Sequence, residues 1–417
     1  MATEKTSFML ERVGHLADLE NWPNAAMPIT GLVTEFIPET CKIPYDYIYR
    51  DDPVAMAETT LLVQEYIDFD LVIANLDIYN FEAENMGQKL RFFKNACPDV
   101  DRENCFIRGP EDLDKVKFQG MDAGRMRYLV DFCRAWERFT GVSVAASQLT
   151  FSAPWTLACD IMGLENLVMA VLEDPDFVHE LMKRIVRDVH LPMFTALKAE
   201  FPEFATVNLA DAFGTPPMIT PDIAEEFMQP YIDMENELMA PLGIAVTSTA
   251  YFGISQFEGD ERRRYEEFIA HVNQAYYFCD PDTNRLGAEF GRKRANELGV
   301  LLHTGIAATF VENSTPEEIV ERTKDYCLKA HHDALTPAFF WIVCVTTRCP
   351  IENVMTATHA ARIYGAPGAT IDTPYTEPEY PTFEEFLKYK MANNVEGYTF
   401  EWLKHSGYSY LLKQNSR

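Results

Sequence analysis

Basic residues are scarce in this chain: 36 Lys and Arg stand against 64 Asp and Glu in 417 residues, a formal charge of −28 with histidines neutral. That balance excludes a nucleic-acid reader held by phosphate contacts. It also disfavours docking on an anionic membrane surface, which leaves small molecules or another protein as partners. Long hydrophobic runs are missing too. No stretch approaches about 18 uninterrupted apolar residues, and the opening MATEKTSFMLERVGHLADLE alternates charge and hydrophobe without the apolar block of a signal peptide. The expectation is a cytoplasmic protein that spans no membrane. The nine cysteines (41, 97, 105, 133, 159, 279, 327, 344, 349) are scattered, odd in number and never spaced CxxC. They read as reduced thiols, most of them small core residues, and not as a disulfide framework. The phosphate cradles GxGxxG and GxxxxGK[ST] are absent, and so is the GxSxG elbow of serine hydrolases.

What is present is an ordinary globular composition, 47% apolar and 24% charged. Short apolar runs alternate with longer amphipathic ones. Residues 27–34, 71–79, 141–151, 205–213, 243–252, 274–280, 299–305 and 338–345 each read as a buried strand, rich in Val, Ile, Ala and aromatics and bounded by turn residues. Between them lie helical stretches. DPVAMAETTLLVQEYI begins with an Asp-Pro start, and TPDIAEEFMQPYI and STPEEIVERTKDYC open on Thr-Pro with early acidic residues. Eight strands with intervening helices make an α/β, TIM-like (β/α)8 barrel the simplest architecture, because right-handed crossovers must cover each strand's outer face. We therefore expect one barrel domain over residues 1–366, with an N-terminal helical segment and an inserted helical or loop region near 80–140. The Pro/Tyr-rich segment 367–417 is expected to be a C-terminal extension that packs on the barrel or on a neighbouring subunit, since its aromatics gain nothing in water.

In a barrel of this kind the chemistry sits at the C-terminal ends of the strands. Those ends carry Glu35, Asp77 with Tyr79, Gln148, Asp211, Tyr251, Cys279, Asp280, Asp282, His303 and Cys344. Asp211 closes an apolar run and either acts as an acid/base or caps the next segment. Cys279, Asp280, Asp282 and His303 place soft, hard and imidazole donors at neighbouring strand ends, a mixture that Zn²⁺ accepts. His303 either binds something or is a hydrogen-bonded neutral core residue, and Cys344 either ligates or packs. His331-His332-Asp333 reads as a structural helix end, and Glu258 to Glu267 as a solvated helix face. Phe151, Trp155, Phe213, Tyr251, Phe252 and Trp341 either wall an apolar pocket or are core aromatics.

FSAPWTLACDIMGLENLVMAVLEDPDFVHELM (151–182) and VNLADAFGTPPMITPDIAEEFMQPYIDMENELM (207–239) together resemble the uroporphyrinogen decarboxylase superfamily, which includes corrinoid-dependent methyltransferases. LDIYNFEAENMG (76–87) and STPEEIVERTKDYC (314–327) add weaker likeness, so that the resemblance spans roughly residues 30–365. It implies a TIM-like barrel. The arginine-rich N-terminal segment with which decarboxylases of that family hold a polycarboxylate is not matched: NAAMPITGLVTEFI (24–37) has no arginine. A chain of charge −28 is also a poor host for a porphyrinogen's carboxylates.

Thiol-directed methyltransferases of the superfamily carry H-x-C-G at the fifth strand end and a later Cys as zinc ligands. Here the segment reads Ala250-Tyr251-Phe252-Gly253, and Cys344 lies near the later Cys position. The resemblance therefore points to the branch that demethylates small substrates such as aryl methyl ethers and passes the methyl group to a cob(I)alamin-carrying corrinoid protein. In that branch Asp282 and His303 would hold zinc, with Asp280, Glu267, Cys279 or Cys344 completing the set. Asp211, Tyr251 and His303 would be catalytic, and Gln148, Phe151, Trp155, Phe213, Phe252 and Trp341 would line the substrate. Zinc, or an acid such as Tyr251 or a protonated carboxylate, would activate the departing oxygen. Two other readings stand beside this one: a metal-free decarboxylase or lyase of a small carboxylate using Asp211 and His303, and a non-catalytic binding protein. A homodimer is the expected assembly.

Overall fold

Nine strands form among the residues described in the computed structural model (18–74, 76–77, 80–146, 149–249, 251–273 and 275–414). In chain order they are β1 (Ile29–Gly31), β2 (Leu90–Arg91), β3 (Asp99–Val100), β4 (Thr150–Ser152), β5 (Thr206–Ala210), β6 (Ala245–Thr249), β7 (Ala275–Cys279), β8 (Leu301–Ala307) and β9 (Ala338–Val343). The chain divides into two compact units, one of Met1–Asn75, Ala135–Val142 and Ala275–Arg417, the other of Leu76–Arg134 and Ser143–Gln274.

In the first unit β1, β9, β8 and β7 lie side by side in that order, all parallel. β7 reads Ala-Tyr-Tyr-Phe-Cys and is buried at every position, as befits a parallel strand covered on both faces. Gly305 permits the close approach of β8 to β9, because a Cβ there would stand 1.9 Å from the Trp341 carbonyl oxygen. The helix Pro316–His331 starts as its sequence requires: Thr315 accepts the Glu318 N–H, and the Glu318 carboxylate accepts the Thr315 N–H.

In the second unit β4, β5 and β6 form a parallel sheet in sequence order. Asp174 and Thr220 cap the helices that begin at Pro175 and Pro221. The 80–140 region holds the small antiparallel pair β2–β3, short helical turns at Arg102–Asn104 and Pro110–Lys115, and the helix Met126–Thr140.

Seven of the eight anticipated strands form, most of them shorter than their apolar runs. The exception is 71–79: residues 71–74 and 76–77 are not strand, and 75, 78 and 79 lie outside the described residues. Side chains satisfy much of that backbone in place of a full ladder. The Leu71 N–H reaches the Ile29 carbonyl of β1, Thr30 donates to the Leu71 carbonyl, and Gln64 bonds both the N–H and the carbonyl of Ile73.

Residues beyond 380 are docked on their own unit. Glu58, fully buried on the helix Pro53–Tyr66, accepts from Thr399 N and Oγ1, Phe400 N and Trp402 Nε1 at 2.7–3.0 Å. Lys390 bridges Glu65 and Glu396, and Tyr66 donates to the Pro381 carbonyl. No single helix among the described residues is long and apolar enough to cross a membrane. The bent pair Pro154–Met162 and Leu164–Glu173 meets that test jointly, but its first helix is buried throughout.

Candidate active site

Three successive strand-to-helix connections of the second unit converge on Asp211. The residue directly follows β5, and its N–H is held by the Thr249 carbonyl at 2.9 Å. Thr156, on the first turn of the helix after β4, donates its hydroxyl to Asp211 Oδ1 at 2.7 Å while accepting the Phe213 N–H at 3.2 Å. Tyr251, two residues past β6, donates to Oδ2 at 3.2 Å. Behind it Ser248 meets the Tyr251 hydroxyl at 2.7 Å and donates to the Leu209 carbonyl.

The chain then folds back over the carboxyl group. Gly214 N–H bonds the Asp211 carbonyl, and a Cβ at Gly214 would stand 2.6 Å from Met228 Cε, 3.0 Å from Tyr251 and 3.1 Å from Asp211 Cγ. Glycine lets this turn close against Tyr251 and the acid with the Met228 side chain packed beside it.

Asp211 and Tyr251 are both fully buried. Burial pushes the Asp211 carboxyl up from 3.8 to about 6, the Thr156 and Tyr251 hydroxyls holding it back from a larger rise. Burial also pushes Tyr251 well above its ordinary range, with the Asp211 charge adding to the effect. The arrangement is thus a carboxyl group whose proton is exchangeable near neutral pH, backed by two hydroxyls that stabilise its ionised form.

The aromatic candidates separate by burial. Phe151 and Trp155 are sealed, Phe151 against Phe194, whereas Phe213 and Phe252 are part-exposed. The Arg102 guanidinium lies 5.1 Å from the Phe213 ring centroid and pairs with Asp99 and with the buried Asp160. Gln148 and Tyr79 fall outside the described residues. Glu267 sits on an exposed helix face, bonded to Arg263 at 2.8 Å.

The remaining candidates belong to the first unit. His303 stacks on Tyr277 at 4.3 Å and 10°, with Phe339 and Trp341 at 5.4 and 5.8 Å, so it sits within an aromatic layer set by the register of β7, β8 and β9. Its Nδ1 has no hydrogen-bond partner among the described residues, which removes the expectation of a hydrogen-bonded core histidine at that atom. Burial lowers its pKa to about 3, leaving the ring neutral. Trp341 is nearly sealed in the same layer.

Asp280 is engaged by Tyr326 at 2.6 Å, Arg322 at 3.2 Å and the Ala307 N–H at 3.4 Å. Asp282 is buried on the first turn of Asp282–Leu286. Cys279 is buried with its sulfur 3.7 Å from the His303 carbonyl, and its thiol is pushed well up by that burial. Cys344 is exposed, with a left-handed backbone (φ 53°), and the surrounding protein together with the Glu35 charge pushes its thiol up to about 11.

These donors do not assemble: among the described residues no group of three or more His, Cys, Asp or Glu is placed to hold a metal ion. The residues do not fit zinc as they stand: Asp280 is engaged by an arginine and a tyrosine, and no third donor joins His303 among the described residues.

Parallel strands, each leading into a helix, with an acid and its hydroxyls just beyond the strands' C-terminal ends, define an α/β-barrel type of protein. The family profile described as "Uroporphyrinogen decarboxylase (URO-D)" matches residues 47–244, a span that includes Thr156 and Asp211. A solved methyltransferase from Methanosarcina mazei has a similar structure, with a TM-score of 0.64 over 85% of this chain and 98% of that one, at 14% sequence identity. No curated protein matches the sequence. The fold is the TIM-like barrel anticipated from the strand pattern, and the family match falls on the segments that carried the resemblance in the sequence.

Thr156, Ser248 and Arg102 are the residues that sequence reasoning passed over. Thr156 lay in plain view within the PWTLA segment that carried the family likeness. Ser248 and Arg102 had no signal of their own, since each becomes relevant through a neighbour brought in by folding.

Proposed function

We propose that this protein is a methyltransferase that removes a methyl group from a small substrate, an aryl methyl ether, and passes it to a reduced corrinoid carried by a partner protein. The observation that carries the reading is the buried Asp211, tuned to about 6 and braced by Thr156 and Tyr251. The family match over residues 47–244 and the structural likeness to a methyltransferase support it.

An ether oxygen is a poor leaving group, so the chain's contribution is a proton delivered as the carbon–oxygen bond breaks. The reduced corrinoid supplies the nucleophile that takes the methyl carbon. The bonding electron pair goes to the oxygen, which takes the Asp211 proton and departs as a phenol. Thr156 and Tyr251 then stabilise the carboxylate left behind until solvent reprotonates it. Because Asp211 has no exposed surface, delivery requires the Asp211–Gly214 turn to lift. The acid activates the departing oxygen, and no step runs through zinc.

The test is anoxic incubation of the full chain with chemically reduced cobalamin and a panel of methoxybenzenes, following methylated cobalamin by absorbance and the phenol by chromatography. Both products should appear in equal amounts and disappear with Asp211→Asn. Absence of methyl transfer from every ether, with carbon dioxide released from small carboxylates, would replace this reading with the decarboxylase one.

A further inference from the structure

Three titratable side chains of the second unit lie together, fully buried, and take no part in the chemistry above: Glu82, His190 and Glu235. Glu235 Oε1 and His190 Nδ1 are 2.5 Å apart. Glu235 Oε2, His190 Nε2 and Glu82 Oε2 have no hydrogen-bond partner among the described residues. Burial opposes charge on His190, but the Glu235 and Glu82 carboxylates outweigh it and raise its pKa. Burial likewise pushes Glu82 up to about 7, with His190 opposing that rise. Ionisable groups set this deep cost stability unless they secure something specific.

What Glu82 secures is the end of β4. Its Oε1 accepts the Ser152 N–H at 2.6 Å. Ser152 is in register with Ala210, the residue before Asp211, and Ala153 N–H bonds the Ala210 carbonyl at 2.9 Å. Ala153 is also the residue from which the helix Pro154–Met162 starts, and Thr156 on its first turn donates to Asp211. An unbroken path of short bonds therefore runs from the Glu82 carboxylate to the acid.

We propose that Glu82 is a positioning residue for Asp211: by accepting the Ser152 N–H it fixes the strand end and helix start that aim the Thr156 hydroxyl, and so sets how firmly Asp211 holds its proton. This rests on the reading of Asp211 as the acid. The charged and titratable groups facing Glu82 are His190, Asp77 and Asp160, the last two paired with Arg125 and Arg102. Those facing Asp211 are Tyr251 and, beside it, Cys159.

Two substitutions separate reach from charge. Glu82→Gln keeps the acceptor over Ser152 and cannot ionise, whereas Glu82→Asp remains ionisable and retracts the carboxyl group by one methylene. The readout is the pH profile of the melting temperature of each variant minus that of the same variant carrying Asp211→Asn, which isolates the Asp211 step near pH 6.

With Glu82→Asp the step should move upward by about half a pH unit or more, because the ionised form loses a donor. With Glu82→Gln it should stay or move down. A step that ignores Glu82→Asp, or that rises equally in both, overturns the proposal. Thr156→Val, close in shape to the native side chain, gives an independent check: it must raise the step and erase the difference between the two Glu82 variants, and a step left in place by it refutes the path. Since the readout is stability, failure of methyl transfer and failure of this inference are distinguishable.

Discussion

Replacing Asp211 by Asn should make the protein more stable near neutral pH and less active, two effects of opposite sign. The stability effect follows from linkage. The folded-state carboxyl is raised from 3.8 to about 6, so its contribution is fully present below pH 3.8 and is lost as pH rises through about 6. At about 1.4 kcal/mol per pH unit this rise corresponds to about 3 kcal/mol of stability withheld above pH 6.

Asn has nearly the same shape and keeps an acceptor for Thr156 or Tyr251, but its amide must turn one hydroxyl around. The net gain at pH 7.5 is therefore expected at about 1–3 kcal/mol. Removing the transferable proton should slow turnover by about 10²–10⁴-fold. Scanning calorimetry across about pH 4–8 on both proteins, with the methyl-transfer assay alongside, reads both effects. If the two profiles run parallel, so that no step near pH 6 vanishes with the carboxyl group, the assignment of a raised, buried acid is wrong. If Asn destabilises at every pH while turnover survives, Asp211 is a structural cap.

Glu58→Ala should leave three N–H groups and the Thr399 hydroxyl without their acceptor. A loss of about 3 kcal/mol or more in urea unfolding is expected, with early proteolytic cleavage beyond residue 367. His303, neutral by burial with a pKa near about 3, should show no imidazole titration by nitrogen NMR between about pH 5 and about pH 8. Since it sits in an aromatic stack away from any ligand set, Asp282→Ala and His303→Ala should leave the zinc content of the purified protein unchanged by elemental analysis.

How much was legible in the sequence depended on whether the signal was local. Apolar runs bounded by turn residues marked seven strands, because burial on both faces of a parallel sheet writes itself as an unbroken run of Val, Ile, Ala and aromatics. The Thr-Pro-Glu-Glu openings marked helix starts, since a cap is made by residues within one turn of each other. The position of Asp211 was legible for the same reason: it ends such a run, just where a strand hands over to a loop.

The run at 71–79 misled because β1 and the preceding helix satisfy part of its backbone with the Thr30 and Gln64 side chains, a substitution that no periodicity records. The metal candidates show the same limit. Cys279, Asp280, Asp282 and His303 belong to neighbouring strand ends, but a strand end does not say which way a side chain turns, and Asp280 turns to Tyr326 and Arg322.

The sequence by itself thus determined most of the strand and helix pattern, the barrel type of fold and the place of Asp211 at a strand end, all of which rest on local order. Only the tertiary structure decided what that acid can do. The rise of its pKa, the hydroxyls of Thr156 and Tyr251 that brace it, and the buried Glu82 behind them depend on desolvation and on angstrom-scale contacts between residues 40 to 70 positions apart in the chain. Those are properties of packing, which a one-dimensional pattern does not carry.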